Sequence, residues 1–555
     1  MFKQTTNDPS NSPHREVGVQ TNCDANPHLA VGAMRVKVNL FSIAVVLLAT
    51  VQFGCSSSIN TDAPRPNIIF ILSDDVGWNE PVFNGGPAEI TPNLGRLAGE
   101  GLKLTQFYTH AVCAPTRSAF LTGRYSFRTW TDWRSEDYGK PTYLAKLGME
   151  LAINTEGEKT RRIVGMDTDE RTLAEALRDA GYTTAIMGKW HLGEWLDEHL
   201  PMGQGFDHQY GHYGWGIDYT NFTIPHNAPA TLAVYDWHRD QEPVHEQGYA
   251  TDLIANEVVR HIAAHKDKEE ATGKRKPFFY YVPFNAIHGP LESIPRYTDT
   301  LDKRMAALKC LDDAVGRIVA AVDQYGYGKD TLIVFTNDNG GLRPEHSAPY
   351  RGTKNTTYEG GVRVPCVLRW TGTIDPKTAN DEMIFIADFY STFITLGGAD
   401  PEQERPVDGM DMTDTIFAGK PSPRDEIIFD VAGCVRLPTI RKGDYKLMNN
   451  ELYNIKLDPY EKNDISKEKP GIVASLKKRL EEAASQRPPL PRMDMLMSPA
   501  QPWVYGEKSN ASVPGWVKRA VLEVRKTQPQ EWAEGKTPWP QAPKDGKIIY
   551  TGDGR

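Results

Sequence analysis

Short apolar runs that alternate with long amphipathic stretches constrain this chain more than any other feature of its sequence. Residues 67–72, 278–282 and 331–336 are mainly apolar, as strands that are buried on both faces are. Stretches with helical periodicity at 249–265 and 304–325 precede the second and the third run. This alternation predicts an α/β fold with a large mixed central sheet flanked by helices on both faces.

The alternation weakens after residue 420, which predicts a smaller C-terminal α+β domain. Short runs at 426–430, 435–440 and 445–448 precede a helical pattern at 471–485, as in a four-stranded antiparallel sheet with a helix. The predicted organisation is a disordered extension or mis-assigned start (1–33), a signal segment (34–58), a linker (59–66), a catalytic domain (67–420), the small-sheet domain (421–487) and a tail that wraps the surface (488–555).

Composition narrows the class of protein. With 555 residues, 39% of them hydrophobic, the chain is long enough for a large core and more than one domain. The net charge of −9 argues against nucleic acid as a partner, because such binding needs concentrated Lys and Arg. The six cysteines lack CxxC spacing, so no zinc module is indicated. Cys310, Cys366 and Cys434 are interpreted as isolated buried thiols, with a disulfide among them as the alternative.

The N-terminal region resembles an export signal. Basic residues after Met34 precede the apolar run at 40–51, which is too short to span a bilayer but suits a signal peptide. Met34 is therefore a candidate start. Gly54-Cys55, followed by serines, resembles a bacterial lipoprotein cleavage site, so Cys55 is a candidate for a lipid anchor, with simple secretion as the alternative. Both alternatives place the mature protein outside the cytoplasm, in a bacterial periplasm or at the cell surface.

Cys113-Ala114-Pro115-Thr116-Arg117 is a candidate oxyanion site. Pro is tolerated in the first turn of a helix, so a helix over 115–121 places Cys113 near its N-terminus. Cys113 and Arg117 then lie on the same face, where free N–H groups and a guanidinium favour sulfate or phosphate oxygens. The alternative is an ordinary buried free cysteine.

Two pairs of oxygen-bearing side chains follow predicted strands. Asp74 and Asp75 come directly after the first strand, and Asp338 and Asn339 follow the strand that ends at Thr336. Oxygen ligands without a neighbouring Cys or His pair favour calcium or magnesium over zinc. The alternative is that all four are turn residues.

Further cationic side chains lie near other predicted strand ends. Lys189 and His191 face the same side if their strand extends through both, and there they can grip an anion. His288 follows the strand at 278–282, and Lys354 lies in Arg351-Gly352-Thr353-Lys354. Each taken singly is as compatible with a core histidine or a surface lysine.

These blocks together resemble the formylglycine-dependent type I sulfatases of the alkaline phosphatase superfamily. CAPTRSAFLTGR resembles the signature CxPxR followed by LTGR, and GKWHLG at 188–193 resembles a second block of that family. The resemblance covers about residues 66–485 and includes Glu451-Leu452-Tyr453-Asn454 in the small domain. Within the family the blocks look closest to the arylsulfatase B type, which removes 4-sulfates from N-acetylgalactosamine.

The resemblance implies a mechanism and a set of partners. A maturation enzyme would oxidise Cys113 to formylglycine, whose hydrate attacks sulfur. Asp74, Asp75, Asp338, Asn339 and position 113 would surround one divalent ion, most often Ca²⁺, with Mg²⁺ as the alternative. The remaining roles concern the sulfate oxygens and the protons: Arg117, Lys189 and Lys354 neutralise the oxygens, His288 protonates the departing alcohol and His191 removes the proton that releases sulfate.

Substrate recognition lies outside these motifs. Aromatic and histidine residues between two predicted elements could stack on a sugar or could pack the loop: His208, Tyr210, His212, Tyr213, Trp215 and Tyr219. Together with the predicted export of the protein, these aromatic and histidine residues favour a sulfated glycan as substrate. Two other functions stay open at this point, a phosphate or phosphonate ester hydrolase of the same superfamily and a non-catalytic glycan-binding surface lipoprotein.

Overall fold

The computed structural model describes residues 65–129, 131, 150–153, 159–162, 166–193, 197–222, 236–297, 300–431 and 437–488. The predicted signal segment, the candidate anchor Cys55 and the predicted tail lie outside them, and the predicted domain boundaries stay predictions. None of the described helices has the length and apolarity to cross a bilayer.

A ten-stranded mixed sheet forms the centre of the described structure. Its strands are β1 (Asn67–Ser73), β2 (Leu102–Leu104), β6 (Thr183–Lys189), β7 (His208–His212), β8 (His238–Arg239), β9 (Glu242–Pro243), β10 (Phe278–Pro283), β11 (Thr331–Asn337), β12 (Cys366–Arg369) and β13 (Thr378–Asn380). Their order is β13-β2-β12-β11-β1-β10-β6-β7-β8-β9, with a parallel centre and antiparallel pairs towards both edges. The predicted mixed sheet is confirmed.

Smaller sheets and the helices complete the described fold. Two short pairs are β3 (Phe107–Tyr108) with β14 (Ile384–Phe385), and β4 (Glu150–Ile153) with β5 (Lys159–Arg162). The helices are α1 (Pro92–Gly99), α2 (Cys113–Thr122), α3 (Leu173–Asp179), α4 (Ala250–Thr272), α5 (Lys303–Gln324), α6 (Pro344–Ser347), α7 (Glu359–Val362), α8 (Asp388–Gly397), α9 (Thr413–Phe417) and α10 (Pro470–Ala484).

Strand β1 shows why helices cover both faces of the sheet. Its residues are all buried, and successive side chains point to opposite faces. Phe70 belongs to one apolar core, together with Phe120 of α2 and Phe393 of α8. Ile71 belongs to the other core, to which α1, α4 and α5 contribute. A mainly apolar run therefore forms the central strand of a sheet buried on both sides.

The predicted four-stranded C-terminal sheet is also present. It consists of β15 (Glu426–Asp430), β16 (Thr439–Lys442), β17 (Tyr445–Met448) and β18 (Glu451–Asn454), all antiparallel. The second strand begins at Thr439, so the expected strand at 435–440 is wrong in its bounds. Apolar residues of this sheet join the core that contains Phe70.

A buried charge cluster connects this sheet to α7. Lys446 Nζ lies 3.0 Å from Glu359 Oε1 and 2.9 Å from Glu461 Oε1. The other oxygen of Glu359 accepts the Tyr108 hydroxyl at 2.8 Å, and that of Glu461 accepts the Glu359 amide at 2.7 Å. In these residues, called here the Lys446 cluster, each carboxylate oxygen of Glu359 and Glu461 lies within 3.0 Å of a lysine, a hydroxyl or an amide.

Candidate active site

The carboxyl ends of β1 and β11 bring the two predicted pairs of oxygen ligands together. Ser73 lies opposite Asn337 in the parallel register, so Asp74 and Asp338 follow at neighbouring positions. The Asp338 amide donates to Ser73 O at 3.1 Å. Asp75 adopts a left-handed conformation with φ of 66°, and Asn339 Nδ2 donates to its Oδ1 at 2.9 Å. Both pairs are buried at one edge of the sheet.

Helix α2 points Cys113 and Arg117 at these carboxylates. Cys113 is the first residue of the helix, and its Sγ lies close to carboxylate oxygens of Asp74 and Asp338. Arg117 Nη2 lies 2.8 Å from Asp338 Oδ2 and 3.4 Å from Asp74 Oδ2, while Nη1 donates to Lys189 O at 2.9 Å. The predicted helical spacing of Cys113 and Arg117 is therefore present.

Two lysines complete the charge around the carboxylates. Lys189 Nζ, at the end of β6, lies 2.5 Å from Asp74 Oδ2. Lys354 Nζ lies 2.6 Å from Asp75 Oδ1 and 3.8 Å from Asp74 Oδ1. Burial opposes the charge on Lys354, but Asp75, then Cys113 and then the other two carboxylates raise its pKa, so the ammonium stays charged. Three cations thus face three carboxylates.

The histidines lie at the same site, although the reason given for His191 is wrong. Strand β6 ends at Lys189, and His191 turns with φ of 59°, so the two residues do not share a strand face. Burial, with Lys189 and Arg117, lowers the pKa of His191 well below its usual value. His288 Nε2 lies 4.0 Å from Asp75 Oδ2, and its Nδ1 lies 2.7 Å from Gly289 O. Burial and then Lys354 lower the pKa of His288 to about 4.

Several oxygen atoms at the centre have no hydrogen-bond partner among the described residues. Asp74 Oδ1, Asp338 Oδ1 and Asn339 Oδ1 are buried and accept no hydrogen bond. Burying such acceptors unpaired costs about 1–3 kcal/mol each and more when they are charged. Burial and the charge of Asp74 also raise the pKa of Asp338 to about 7. The donor set therefore fits a hard divalent cation, which prefers carboxylate and amide oxygens.

Similarity to known proteins decides the family. A profile described as sulfatase matches residues 66–399, and one described as N-sulphoglucosamine sulphohydrolase, C-terminal, matches residues 352–486. The chain belongs to the sulfatase family. It is an enzyme that hydrolyses sulfuric esters, which decides against the non-catalytic binding protein.

Individual relatives agree with this assignment. The sulfatase is 29% identical to arylsulfatase J of Mus musculus over 484 residues, and this alignment covers 75% of each of the two chains. It is 31% identical over 407 residues to N-acetylgalactosamine-6-sulfatase of Mus musculus, covering 69% of this chain and 72% of the relative. A solved structure, Ps i-CgsB in complex with k-i-k-neocarrahexaose, superposes with a TM-score of 0.63 and 25% identity, covering 85% of this chain and all of that one. The arylsulfatase B resemblance stays a prediction.

Sequence reasoning missed residues that hold the sulfatase's motif residues in place. Asn337 Oδ1 accepts the Ser73 hydroxyl at 2.8 Å and the Val76 amide at 3.1 Å, which fixes the turn that contains Asp74 and Asp75. Thr116 Oγ1 donates to Asp338 O at 2.7 Å and so joins α2 to the second pair of carboxylate and amide ligands. Both residues lie inside the motifs. A side-chain hydroxyl or amide that bonds to backbone groups, however, shows no sequence pattern that would mark this role.

The aromatic set expected to stack on a sugar mostly packs the interior. Tyr210, His212, Tyr213 and Tyr219 are at most 1% exposed, so the packing alternative holds for these four, although Tyr210 and His212 pack in strand β7 and not in a loop. His208 lies in an ion network on another part of the sulfatase. Trp215 differs from them, because it is only partly buried and its ring contacts His288.

His208, Glu257 and His261 form a second group with metal-ligand side chains. Both carboxylate oxygens of Glu257 already accept hydrogen bonds from arginines, Arg239 and Arg260. Arg260 also lies 3.1 Å from His261 Nε2. Since a cation here would have to displace two guanidinium groups, we interpret the group as a structural ion network. Cys310 and Cys366 are buried and form no disulfide, while Cys434 lies outside the described residues.

Proposed function

We propose that this sulfatase removes sulfate from a sulfated glycan, with formylglycine derived from Cys113 as nucleophile and one divalent cation as cofactor. The observation that carries this is the cluster around Cys113, where three cations and three buried oxygen atoms without partners converge. The glycan is supported by the relative named N-acetylgalactosamine-6-sulfatase and by the neighbour solved with a neocarrahexaose.

The weak reactivity expected of the unmodified Cys113 thiol supports its conversion to formylglycine. Burial raises the pKa of Cys113, and Asp74 and Asp338 act in the same direction against Lys189 and Lys354. A thiol with a raised pKa is a poor nucleophile, because the thiolate is the reactive form. A hydrated aldehyde at this position has two hydroxyls, so one can form the sulfate ester and the second can expel it. The maturation enzyme that installs it is part of the proposal.

The cation would be held by Asp74, Asp75, Asp338, Asn339 and the modified residue 113, and Ca²⁺ is proposed ahead of Mg²⁺. When bound, it supplies positive charge beside the sulfate oxygens and lowers the pKa of the nucleophilic hydroxyl. Arg117, Lys189 and Lys354 add fixed positive charge where the sulfate oxygens lie. This leaves a net positive site for an anionic ester inside a protein of net charge −9.

Both histidines have lowered pKa values, led by burial, and their places in the site suit two proton-transfer roles. His191 has a strongly lowered pKa, so it is neutral and can accept a proton. His288 is neutral in the substrate-free site, and an arriving sulfate anion favours its charged form, from which it can protonate the leaving alcohol. Its Nδ1 faces Gly289 O, which leaves Nε2 for the substrate.

The decisive experiment measures inorganic sulfate released from a panel of sulfated glycans by protein co-expressed with a formylglycine-generating enzyme. Mass spectrometry across residues 113–117 reports whether Cys113 has lost its sulfur. Cys113→Ala is expected to abolish release without changing the melting temperature. Sulfate release by that variant contradicts the nucleophile, and faster hydrolysis of matched phosphate esters favours the alternative phosphoesterase.

Export and a lipid anchor at Cys55 are also proposed, from the signal-like sequence at 34–58. Metabolic labelling with a fatty-acid analogue tests the anchor. Label is expected on the full chain and not on Cys55→Ala, and an unlabelled but processed chain supports simple secretion instead.

A further inference from the structure

Trp215 lies beside the histidine that faces the leaving group in the proposed function. It stands in the loop after β7, and its ring meets His288 edge-on, with centroids 5.6 Å apart and planes at 70°. The side chain is only partly buried. Its indole Nε1, however, is shielded from solvent and has no hydrogen-bond partner among the described residues.

The loop around Trp215 is held in place. The carboxylate of Asp236 accepts the Tyr213 and Gly214 amides at 2.9 and 2.7 Å, and Asn285 Nδ2 donates to Ile217 O at 3.3 Å. A Cβ atom on Gly216 would lie 3.2 Å from His288 Nδ1, so this part of the loop lies directly against the histidine. These contacts fix the backbone on both sides of Trp215 and hold the loop beside His288.

A buried indole N–H is a donor only, and it usually finds an acceptor. Leaving it unpaired costs about 1–3 kcal/mol, which a bound acceptor would recover. None of the described residues supplies this acceptor, so a ligand that enters next to His288 can supply it.

We propose that Trp215 is a specificity-determining residue that contacts the sugar carrying the sulfate. Its indole N–H donates to a hydroxyl or ring oxygen of that sugar, and the exposed part of its ring packs against the sugar face. The inference rests on the proposed function, since it requires a glycan ester in this site. It assigns the contact to the sugar and not to the sulfate group, around which Arg117, Lys189 and Lys354 already provide donors.

The test compares Trp215→Phe with wild type on two substrates, the glycan that the release assay cleaves fastest and a small aryl sulfate. Phe keeps an aromatic ring beside His288 but has no N–H. We expect kcat/KM on the glycan to fall about tenfold, the equivalent of one hydrogen bond, while the value on the aryl ester stays unchanged. Trp370→Phe is the matched control, because Trp370 donates its N–H to Lys329 O at 2.8 Å elsewhere in the fold.

Each other outcome overturns the inference. Equal losses on both substrates indicate that Trp215 only positions His288, and no loss on the glycan shows that its N–H makes no contact there. Sulfate release from the aryl ester but from no glycan overturns the sugar contact while leaving sulfuric ester hydrolysis intact. Release from neither substrate by wild type, with formylglycine present, contradicts the proposed function itself.

Melting temperatures of both variants show whether they fold. If Trp215→Phe unfolds, the indole N–H resonance of ¹⁵N-tryptophan-labelled Cys113→Ala protein is followed as the same glycan is added. A downfield shift of a single buried indole supports the contact, and an unchanged set of indole resonances at saturating glycan overturns it.

Discussion

The active site and the Lys446 cluster bury similar groups but differ in how completely they are paired. In the Lys446 cluster each oxygen of Glu359 and Glu461 faces a lysine, a hydroxyl or an amide. In the active site Asp74, Asp338 and Asn339 each keep one buried oxygen without a hydrogen bond. The complete cluster needs nothing from outside, while the incomplete one needs a ligand. Three such oxygen atoms on neighbouring ligand-type side chains, and not buried charge as such, therefore distinguish the active site from the Lys446 cluster.

The two clusters are also neighbours. The Gly340 amide, directly after Asn339, donates to Gly361 O of α7 at 2.9 Å, and Glu359 begins that helix. A Cβ atom on Gly340 would lie 1.9 Å from Gly360 O, so the two segments are packed as closely as backbones allow. The complete cluster thus supports the loop that presents two of the proposed cation ligands.

The largest expected effect tests the complete cluster. Lys446→Met removes the cation that Glu359 and Glu461 share and leaves Glu359 only the longer ion pair with Arg363, at 3.4 Å. Breaking a buried pair destabilises a protein by about 3–5 kcal/mol. We expect a loss of this size in the free energy of unfolding, measured by urea denaturation. Lys462→Met is the control, because Lys462 is exposed, and it should change nothing. If the free energy of unfolding fell by less than about 1 kcal/mol, a value typical of exposed ion pairs, Lys446 would not be the residue that stabilises the cluster.

The next effect concerns catalysis. Arg117→Lys keeps the charge but cannot reach both Asp338 and Lys189 O, which the guanidinium contacts with two different nitrogens. Removing one such preorganised donor lowers kcat by about 10²–10³-fold. Steady-state sulfate release measures this, and Arg441→Lys, in contact with Tyr108 of the other cluster, should leave kcat unchanged. Equal kcat for Arg117→Lys and wild type would remove Arg117 from the catalytic set.

Cation binding should stabilise the protein through one cluster only. Adding Ca²⁺ at about 100 times its Kd to chelator-treated protein is expected to stabilise the fold by about 2.7 kcal/mol. Asp338→Asn should reduce this gain, and Glu359→Gln should not, as thermal melts with and without Ca²⁺ can show. A melting temperature that neither Ca²⁺ nor Mg²⁺ changes contradicts a cation site.

The smallest expected effect is the pH dependence of the stabilisation by the cation. Burial and Asp74 raise the pKa of Asp338 from 3.8 to about 7, so the cation-free folded protein holds a proton that the unfolded chain has lost. The stability that the protonated Asp338 adds to the cation-free fold is fully present below pH 3.8 and is lost as pH rises through about 7. The cation must displace this proton, so its apparent affinity should fall about tenfold per pH unit below 7, or about 1.4 kcal/mol. Titrations at pH 6 and 8 with equal affinities would contradict this.

Much of the fold follows from local sequence. Strands β1, β10 and β11 were predicted because they are buried on both faces and so consist mainly of apolar residues. Strand β7 was not, because His-Gln-Tyr-Gly-His contains no apolar run, yet all five residues are buried. Its burial comes from pairing with β6 and from charged partners far along the chain, which a local pattern does not contain.

The same distinction applies to the site. Asp74 and Asp338 could be placed together from sequence, because parallel strands end at one edge and the motifs mark both ends. The pairing of Lys446 with Glu359, 87 residues apart, has no local signal. Nor could the turn at His191 be predicted from sequence, where a shared face with Lys189 was expected only if the strand extended through both residues. Trp215 stood out only as one of several aromatic residues, and burial separated it from the others.

The position of β1 has a consequence for how the protein must be made. This strand is the first of the central sheet to leave the ribosome, but its neighbours β10 and β11 lie 211 and 264 residues later in the chain. Both of its hydrogen-bonding edges stay open until those segments emerge, which at 5–20 residues per second takes roughly 10–50 s. A seven-residue strand that contains three Ile, one Leu and one Phe is a segment prone to self-association while it is unpaired. Newly synthesised chains therefore depend on being kept apart during this interval, and yield should respond to synthesis rate and to chaperone supply.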